Sequence, residues 1–450
     1  MGHATRRTIA GCVGAAVLAG GAVAAAITQS VDQPATVDAP AERAPVEFGD
    51  IASVFDVGQV DAAVVSASAR VAEQSGGVAT GGRTGSLGLS QVVRSGARVG
   101  GPPVGYLTPV TFIAFPSPAI GWLFGSDVSA TVGVRTIALN TATAEMIGAR
   151  AGDELEFDLV DGDLVRLTVG AVLDRSVLGS TEIAMTNETA ALVGYAVDTR
   201  VVIWGFEDRD IFDAAVHASG LERRIDTKVA RSWDTKDPDG TLGTLATKLL
   251  LGQPWYRFED DGSMEMHPTW KSTYLVDGRQ LVNSTIPVYA RCHKLVMDDL
   301  RGAFAELVTA GLSAEIDVDN ANTYGGCYVA RFSRGSGYLS RHAYGMAFDT
   351  NTSANCQGCV PAMSCDVVRI FRKHGFAWGG NFRAPDGMHF EWVGERRDQI
   401  PYDSNYCSNI VTVQPQVADQ SQQPSDAVLG IDVLSVGATD DDHDHDRDHG

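Results

Sequence analysis

The sequence predicts an α+β protein with two folded units. One is a β-rich α+β unit over residues 100–220, and the other is a C-terminal unit over residues 271–400 with a small, mainly antiparallel sheet and helices. Short β-type runs follow one another in the first unit, whereas helical stripes alternate with strand patterns in the second. The 450 residues exceed one ordinary domain, and 44% hydrophobic residues suffice for sizeable cores.

The N-terminal segment, residues 1–28, has the pattern of an export signal, because Arg6 and Arg7 precede a run rich in Ala, Gly and Val. The run is also long enough to span a bilayer as a helix. A cleaved signal peptide and a single retained membrane anchor are therefore both open. Either one predicts an exported protein, secreted or anchored at the cell envelope.

Residues 29–95 are rich in Ala, Gly, Ser, Val and Gln and show no sustained period. This composition predicts a spacer with one short helix near residues 60–72.

The β-rich unit is predicted from short runs of β-forming residues that are separated by turns. Helical patches are expected at 141–148 and 210–218, and Asp161-Gly162 is a hairpin turn signal. Because the unit has no cysteine and no evident catalytic cluster, we expect a binding or spacing module of unknown role. The predicted strands are 111–115, 136–140, 154–160, 164–173, 182–186 and 200–206.

Turn signals and a short helix at 242–251 predict a linker over residues 221–270. In the C-terminal unit, an apolar stripe predicts a helix over 293–310, and Ser364 is placed to cap a second helix that ends near Gly375. Residues 401–450 become polar and end in an Asp/His-rich run, which predicts a disordered acidic tail.

The charge balance excludes some classes of partner. There are 56 Asp and Glu against 35 Lys and Arg, which gives a net charge of −21 at pH 7. Nucleic acid is an unsuitable main partner because phosphate binding depends on Lys and Arg. A polybasic attachment to a membrane surface is disfavoured for the same reason. Composition says nothing about the oligomeric state.

Seven cysteines are present, and six of them lie between residues 292 and 407, whereas Cys12 belongs to the export segment. An even number of cysteines in an exported chain predicts disulfides. Six cysteines allow 15 pairings, so the connectivity is not derivable. Cys356 and Cys359 form a CxxC pair, but a zinc ribbon would need a second such pair, so a structural disulfide is the better interpretation.

Three polar residues of the C-terminal unit form a candidate metal site: His342, Asp349 and His389. Two imidazoles and one carboxylate are a sufficient ligand set for a catalytic zinc ion. The segments around Asp349 and His389 both have strand patterns, so the two side chains could come from neighbouring strands. Asp386 lies in the turn before His389, where its carboxylate can face a reacting water without binding the metal. From spacing alone, unrelated surface groups are the favoured interpretation of these three residues.

Three linked motifs resemble the zinc D-alanyl-D-alanine carboxypeptidase family, which includes L-alanyl-D-glutamate endopeptidases of bacterial walls and phage lysins. The resemblance spans about residues 291–392. The motifs are Ser340-x-His342-x-x-Gly345-x-Ala347-x-Asp349, His374-Gly375-Phe376-x-Trp378-Gly379-Gly380 and Pro385-Asp386-x-Met388-His389-Phe390-Glu391.

The resemblance implies a metallopeptidase that hydrolyses stem peptides of peptidoglycan. It implies Zn²⁺ on the two histidines and Asp349, with Asp386 as the general base. It also implies an arginine that binds substrate carboxylate and developing negative charge: Arg331, with Arg334 as the alternative. Ser340 is expected to line the substrate site.

The sequence departs from the family pattern in two places. Many relatives carry Glu where Asp386 stands, which leaves open which peptide bond is cut. An insertion over residues 356–365 follows Asp349, and we expect it to lie at the rim of the cleft. A catalytically silent, zinc-containing wall-binding module is the alternative function.

Overall fold

The structure is a computed structural model that describes residues 50–56, 58–159, 162–224, 227–279, 289–317, 324–333 and 337–410. All of these belong to one compact unit, Pro45–Gly450. The predicted export segment with Cys12, residue Asp161 and nearly all of the predicted tail lie outside the described residues. No helix in the described part of the chain has the length and apolar character needed to cross a membrane.

The first half of the described chain is dominated by strands, as predicted. Its helices are α1 (Ala62–Ser75), α2 (Ser117–Phe124), α3 (Ser126–Thr131), α4 (Thr141–Ile147), α5 (Arg175–Leu178), α6 (Asn187–Leu192) and α7 (Arg209–Ser219). Its strands are β1 (Ile51–Asp56), β2 (Val78–Arg94), β3 (Ala97–Gly100), β4 (Thr108–Phe115), β5 (Thr136–Asn140), β6 (Glu154–Asp158), β7 (Leu164–Leu173), β8 (Ile183–Thr186), β9 (Arg200–Trp204) and β10 (Thr227–Arg231).

These strands form one large mixed sheet in the order β10-β1-β9-β2-β4-β8-β5-β7-β6, and β3 pairs with β2 off this path. Because β2 also pairs with β6, the six strands β2, β4, β8, β5, β7 and β6 close into a barrel-like sheet. The first part of β2 instead pairs with β9, which extends the sheet to β1 and β10. The barrel interior holds an apolar core that includes Phe112, Leu139 and Phe157.

The predicted spacer over 29–95 is wrong for residues 51–94, since they supply β1 and the long strand β2, whereas the short helix expected near residues 60–72 is confirmed as α1. Strand β2 is rich in glycine, and such residues disfavour a strand on propensity alone. Here the missing side chains let aromatic rings approach the strand: a Cβ at Gly82 would lie 2.1 Å from the Phe115 ring, and one at Gly85 would lie 2.3 Å from the Tyr195 ring. The packing of these rings therefore overrides the local preference.

The second half of the described chain contains shorter elements. Its helices are α8 (Thr244–Leu251), α9 (Pro268–Tyr274), α10 (Met297–Thr309) and α11 (Cys365–Lys373). Its strands are β11 (Tyr256–Phe258), β12 (Met264–Met266), β13 (Leu275–Arg279), β14 (Tyr289–His293), β15 (Tyr324–Gly326), β16 (Ala347–Thr350), β17 (Phe376–Trp378) and β18 (His389–Trp392). Short 3₁₀ turns occur at Leu221–Arg223, Ser313–Glu315, Arg341–Tyr344 and Gly379–Asn381.

The predicted small antiparallel sheet of the C-terminal part is confirmed: it has the order β15-β16-β18-β17, and the pairs are antiparallel. Helices α10 and α11 pack on its apolar face. Phe348 of β16 stacks on Phe390 of β18 with ring centroids 5.3 Å apart, and Phe371 of α11 lies 4.4 Å from Phe390. Burial of these rings fixes which face of each strand is left for the site.

The linker predicted over residues 221–270 is also corrected, since its residues form folded elements. Strand β10 pairs with β1 at the edge of the large sheet. Helix α8 is anchored by Lys248, whose Nζ lies 2.7 Å from Glu182 Oε1, with both side chains buried. A residue pair of this kind gives no signal in a sequence until the fold brings the two charges together.

Six cysteines pair as three disulfides, as predicted, and the connectivity that the sequence left open is Cys292–Cys327, Cys356–Cys359 and Cys365–Cys407. The last pair ties the start of α11 to residues 402–409, where Tyr402 and Asn409 form a β-bridge. The first ten residues of the predicted disordered tail, 401–410, are therefore part of the described fold.

Candidate metal centre

Two of the predicted ligands come from adjacent strands. Asp349 of β16 pairs directly with His389 of β18 in the antiparallel register. Since Phe348 and Phe390 occupy the core face, strand alternation places Asp349 and His389 together on the opposite face. Asp349 Oδ1 lies 3.0 Å from His389 Nδ1.

The third predicted ligand, His342, lies in the 3₁₀ turn Arg341–Tyr344. Ser340 begins this turn, and its Oγ accepts the backbone N–H of His342 at 3.3 Å. The Nδ1 of His342 lies 3.3 Å from the Cys327 carbonyl oxygen, which suits Nδ1 as the donor. Its Nε2 is then left with a lone pair, and it lies 3.3 Å from Asp349 Oδ2.

The three side chains suit a metal ion. One ligand atom from each of His342, Asp349 and His389 can be chosen so that all lie within 4.8 Å of one another. Among the described residues, the buried His342 Nε2 has no hydrogen-bond partner. A buried nitrogen without a hydrogen bond, facing a carboxylate and a second imidazole, is the arrangement expected of a ligand set with two histidines and one aspartate.

The charges at the site are strongly coupled. Burial would raise the pKa of the Asp349 carboxyl, but the neighbouring His342 and His389 imidazoles hold that pKa well below its usual range. Burial would lower the pKa of His389, but its contacts with Asp349 and Glu391 raise it to about 10. Negative charge therefore dominates around His389, which favours any cation bound there, whether a proton or a metal ion.

Asp386 lies in the turn that leads into β18, as predicted. Its backbone carbonyl accepts the N–H of His389 at 3.1 Å, and its own N–H donates to the Gly379 carbonyl at 2.9 Å. Burial raises the pKa of its carboxyl to about 6. Within the described part of the chain, the buried Asp386 Oδ1 has no hydrogen-bond partner, so one carboxylate oxygen is left unsatisfied.

The substrate-binding predictions concern Arg331, Arg334 and Ser340. Arg331 lies close enough to Asp386 for its positive charge to lower the pKa of that carboxyl. Its carbonyl oxygen accepts the Ser340 N–H at 3.1 Å, which links it to the turn that carries His342. Arg334 lies outside the described residues. Ser340 is buried and caps the turn, and its contact with substrate stays a prediction.

Two residues near the candidate metal centre were not predicted. Glu391 of β18 is buried, and its Oε2 lies 3.6 Å from Nε2 of His389. Arg341 lies with its Nε 3.0 Å from Glu391 Oε1. The spacing His389-x-Glu391 was a usable signal, because residues two apart on a strand share a face. The role of Arg341 could not be predicted from the sequence, since its partners come from distant segments.

A donor set that could hold a metal ion, with a buried carboxylate beside it, is the arrangement that metal-dependent hydrolases use. A family model described as D-alanyl-D-alanine carboxypeptidase matches residues 334–392. This segment contains the three candidate ligands and Asp386, and the matching family is the one that the sequence motifs resemble. At family level it supports a metallopeptidase. No curated protein matches the chain.

Proposed function

We propose that the protein is a zinc-dependent peptidase that hydrolyses the stem peptides of peptidoglycan. The observation that carries this proposal is the convergence of His342, Asp349 and His389 beside the buried carboxylate of Asp386, within the segment that matches the family model. Nitrogen ligands with one carboxylate suit zinc, and three protein ligands leave a position for water or substrate.

Zinc at this site would supply Lewis acidity and an activated water at neutral pH. Asp386 would take a proton from the water that attacks the scissile carbonyl carbon and would pass it to the amine that leaves when the peptide bond breaks. The burial that raises the pKa of Asp386 to about 6 suits both steps, because the group can accept a proton near neutral pH and release it again.

Arg331 is the candidate for holding the substrate carboxylate and the negative charge that develops on the scissile carbonyl oxygen. A planar guanidinium can bind a carboxylate through two parallel hydrogen bonds. Its electrostatic effect on Asp386 supports a place beside the reacting groups. These residues are consistent with both a D-alanyl-D-alanine carboxypeptidase and an L-alanyl-D-glutamate endopeptidase, and the proposal includes both activities.

Peptidoglycan as the substrate requires an exported protein, secreted or anchored by the N-terminal segment. The three disulfides support this location, since disulfides persist in oxidising compartments. The alternative function is a catalytically silent, zinc-containing wall-binding module. The presence of a buried, hydrogen-bond-free oxygen on Asp386 favours the enzyme.

Mass spectrometry of muropeptides tests the proposal. Purified peptidoglycan is incubated with the zinc-loaded protein, with the chelator-treated protein and with the Asp386→Asn variant. We expect loss of a terminal D-alanine, or cleavage between L-alanine and D-glutamate, with the zinc-loaded protein alone. Unchanged muropeptides together with binding to the sacculus would establish the silent module instead.

A further inference from the structure

We propose that Glu391, held by Arg341, is the positioning residue that orients His389 toward the metal. Helix α8 in turn holds the Arg341 side chain in place. The proposal rests on the proposed metal site. It starts from the two nitrogens of His389, which face two different carboxylates. Nδ1 lies 3.0 Å from Asp349 Oδ1, on the side of the other candidate ligands. Nε2 lies 3.6 Å from Glu391 Oε2, on the opposite side of the ring.

This arrangement assigns the roles of the two nitrogens. Nδ1 is the one that can join His342 Nε2 and Asp349 around an ion, so Nε2 carries the hydrogen. A carboxylate at Nε2 favours that tautomer, fixes the plane of the ring and makes Nδ1 a stronger ligand. For His342 the corresponding partner is the Cys327 carbonyl at Nδ1, so each histidine has its own acceptor away from the metal.

Only 4% of the Glu391 side chain is exposed, and a buried carboxyl group of this kind calls for a cationic partner. Arg341 supplies that cation, with its Nε 3.0 Å from Glu391 Oε1. Arg341 follows Ser340 and precedes His342 in the same turn. The ion pair therefore joins the turn that carries one candidate ligand to the strand that carries another.

Arg341 is itself fixed by the segment around α8. Its Nη1 donates to Thr247 Oγ1 at 3.0 Å, and its Nη2 donates to the Leu242 carbonyl oxygen. Nη1 and Nη2 thus donate hydrogen bonds to α8 and to the residue segment before it, while Nε lies at ion-pair distance from Glu391 of β18. Such a planar fork is held in one orientation, whereas a lysine would offer a single flexible charge.

Helix α8 is in turn attached to the large sheet. Lys248, next to Thr247, forms its buried ion pair with Glu182 and also donates to the Pro109 carbonyl oxygen. Glu182 accepts the backbone N–H of Thr111 at 2.8 Å and its hydroxyl at 2.7 Å. A continuous series of polar contacts therefore runs from the β-rich region through α8 and Arg341 to His389. Through these contacts, the β-rich region helps to fix the orientation of His389.

The test compares zinc affinity, measured by competition with a chromophoric chelator, with kcat and KM on the peptidoglycan substrate. We expect Glu391→Gln and Arg341→Gln to weaken zinc binding about 10- to 100-fold, the usual effect of removing a partner of a metal-bound histidine. KM should stay within about twofold at saturating zinc, since Arg331 is untouched. The double variant should lose little more zinc affinity than either single variant, because both substitutions disrupt the same contact between Arg341 and Glu391.

A matched control is Asp153→Asn, which breaks another ion pair of a buried carboxylate, with Arg94, inside the β-rich region. It should lower Tm without changing zinc affinity. Thr247→Val serves as a mild variant that removes one acceptor of Arg341, and it should weaken zinc binding by a smaller factor even if the charge variants fail to fold. Zinc affinity equal to that of the wild type in Thr247→Val and in any folded Glu391→Gln would overturn the proposal. Since this readout needs no turnover, a protein that binds zinc but cleaves nothing would contradict the proposed function and leave the positioning role testable.

Discussion

Asp349 and His389 face each other across strands β16 and β18, with 3.0 Å between Oδ1 and Nδ1. The antiparallel register fixes this pairing, and the phenylalanines on the other face of the same strands hold the register in place. A shift of either strand by one residue would move its ligand into the core. The apolar packing of the sheet therefore determines how these two candidate ligands are placed.

Replacing Asp386 by Asn should separate metal binding from catalysis. The variant keeps the three candidate ligands and should bind zinc as the wild type does, but it cannot accept a proton, so kcat should fall about 10²- to 10⁴-fold. Zinc content by atomic absorption and release of D-alanine or cleaved stem peptide measure the two effects. The control is Asp298→Asn on the exposed start of α10. If Asp386→Asn turned over at the wild-type rate, Asp386 would not be the general base.

The activity should decline on the acid side of neutrality. Burial raises the pKa of Asp386 to about 6, so the carboxylate becomes protonated as the pH falls through that value. A protonated carboxyl cannot act as a base, and kcat/KM should then fall about tenfold for each further pH unit. The measurement is kcat/KM from pH 4.5 to 8 at saturating zinc. A flat profile between pH 5 and 7 would contradict this assignment.

Much of the site was predictable because its signals are local. Two strand patterns with alternating apolar residues placed Asp349 and His389 on their strands, and the turn before His389 placed Asp386. The strands of the β-rich region were also readable, and the predicted bounds of β5 and β7 match the structure. Here local preference and the final fold agree.

The remaining features depend on contacts between distant segments. Strand β2 was missed because its glycines only make sense beside the rings of Phe115 and Tyr195. Helix α8 was predicted inside a linker because the buried partner of Lys248 lies 66 residues away. The same reason hid Arg341, whose partners Thr247 and Leu242 belong to that segment. No periodic pattern encodes such pairs.

His293 should make the fold less stable in acid. It is buried, its Nδ1 accepts the Leu295 N–H at 3.2 Å, and its Nε2 lies 3.2 Å from the Leu251 carbonyl. Burial lowers its pKa to about 4, below the value of about 6.5 in an unfolded chain. Between these values the unfolded chain binds more protons, so the free energy of unfolding falls as the pH falls from about 6.5 to about 4.

The measurement is Tm of wild type and His293→Gln from pH 7.5 to 4, with a chelator present so that metal does not contribute. The loss of Tm on acidification should be smaller in the variant. His217→Gln, at an exposed position of α7, should follow the wild type. Parallel curves for wild type and His293→Gln would show that His293 does not contribute.

Two of the disulfides should differ in their effect on the metal centre. Cys292–Cys327 and Cys365–Cys407 join residues 35 and 42 positions apart. Removing either disulfide should lower the free energy of unfolding by about 4 kcal/mol, because the unfolded chain gains entropy when the loop is opened. Only the first fixes the backbone of Cys327, whose carbonyl lies against Nδ1 of His342. We therefore expect the Cys292→Ser/Cys327→Ser variant to lose zinc affinity as well as stability.

The Cys365→Ser/Cys407→Ser variant is the matched control for this prediction. It releases residues 402–409 from the start of α11, and it should lower Tm by a similar amount while zinc affinity stays at the wild-type value. Chelator competition is measured well below both Tm values, so that the comparison concerns folded protein. An equal loss of zinc affinity in both variants would mean that stability alone, and not the acceptor at His342, governs the metal site.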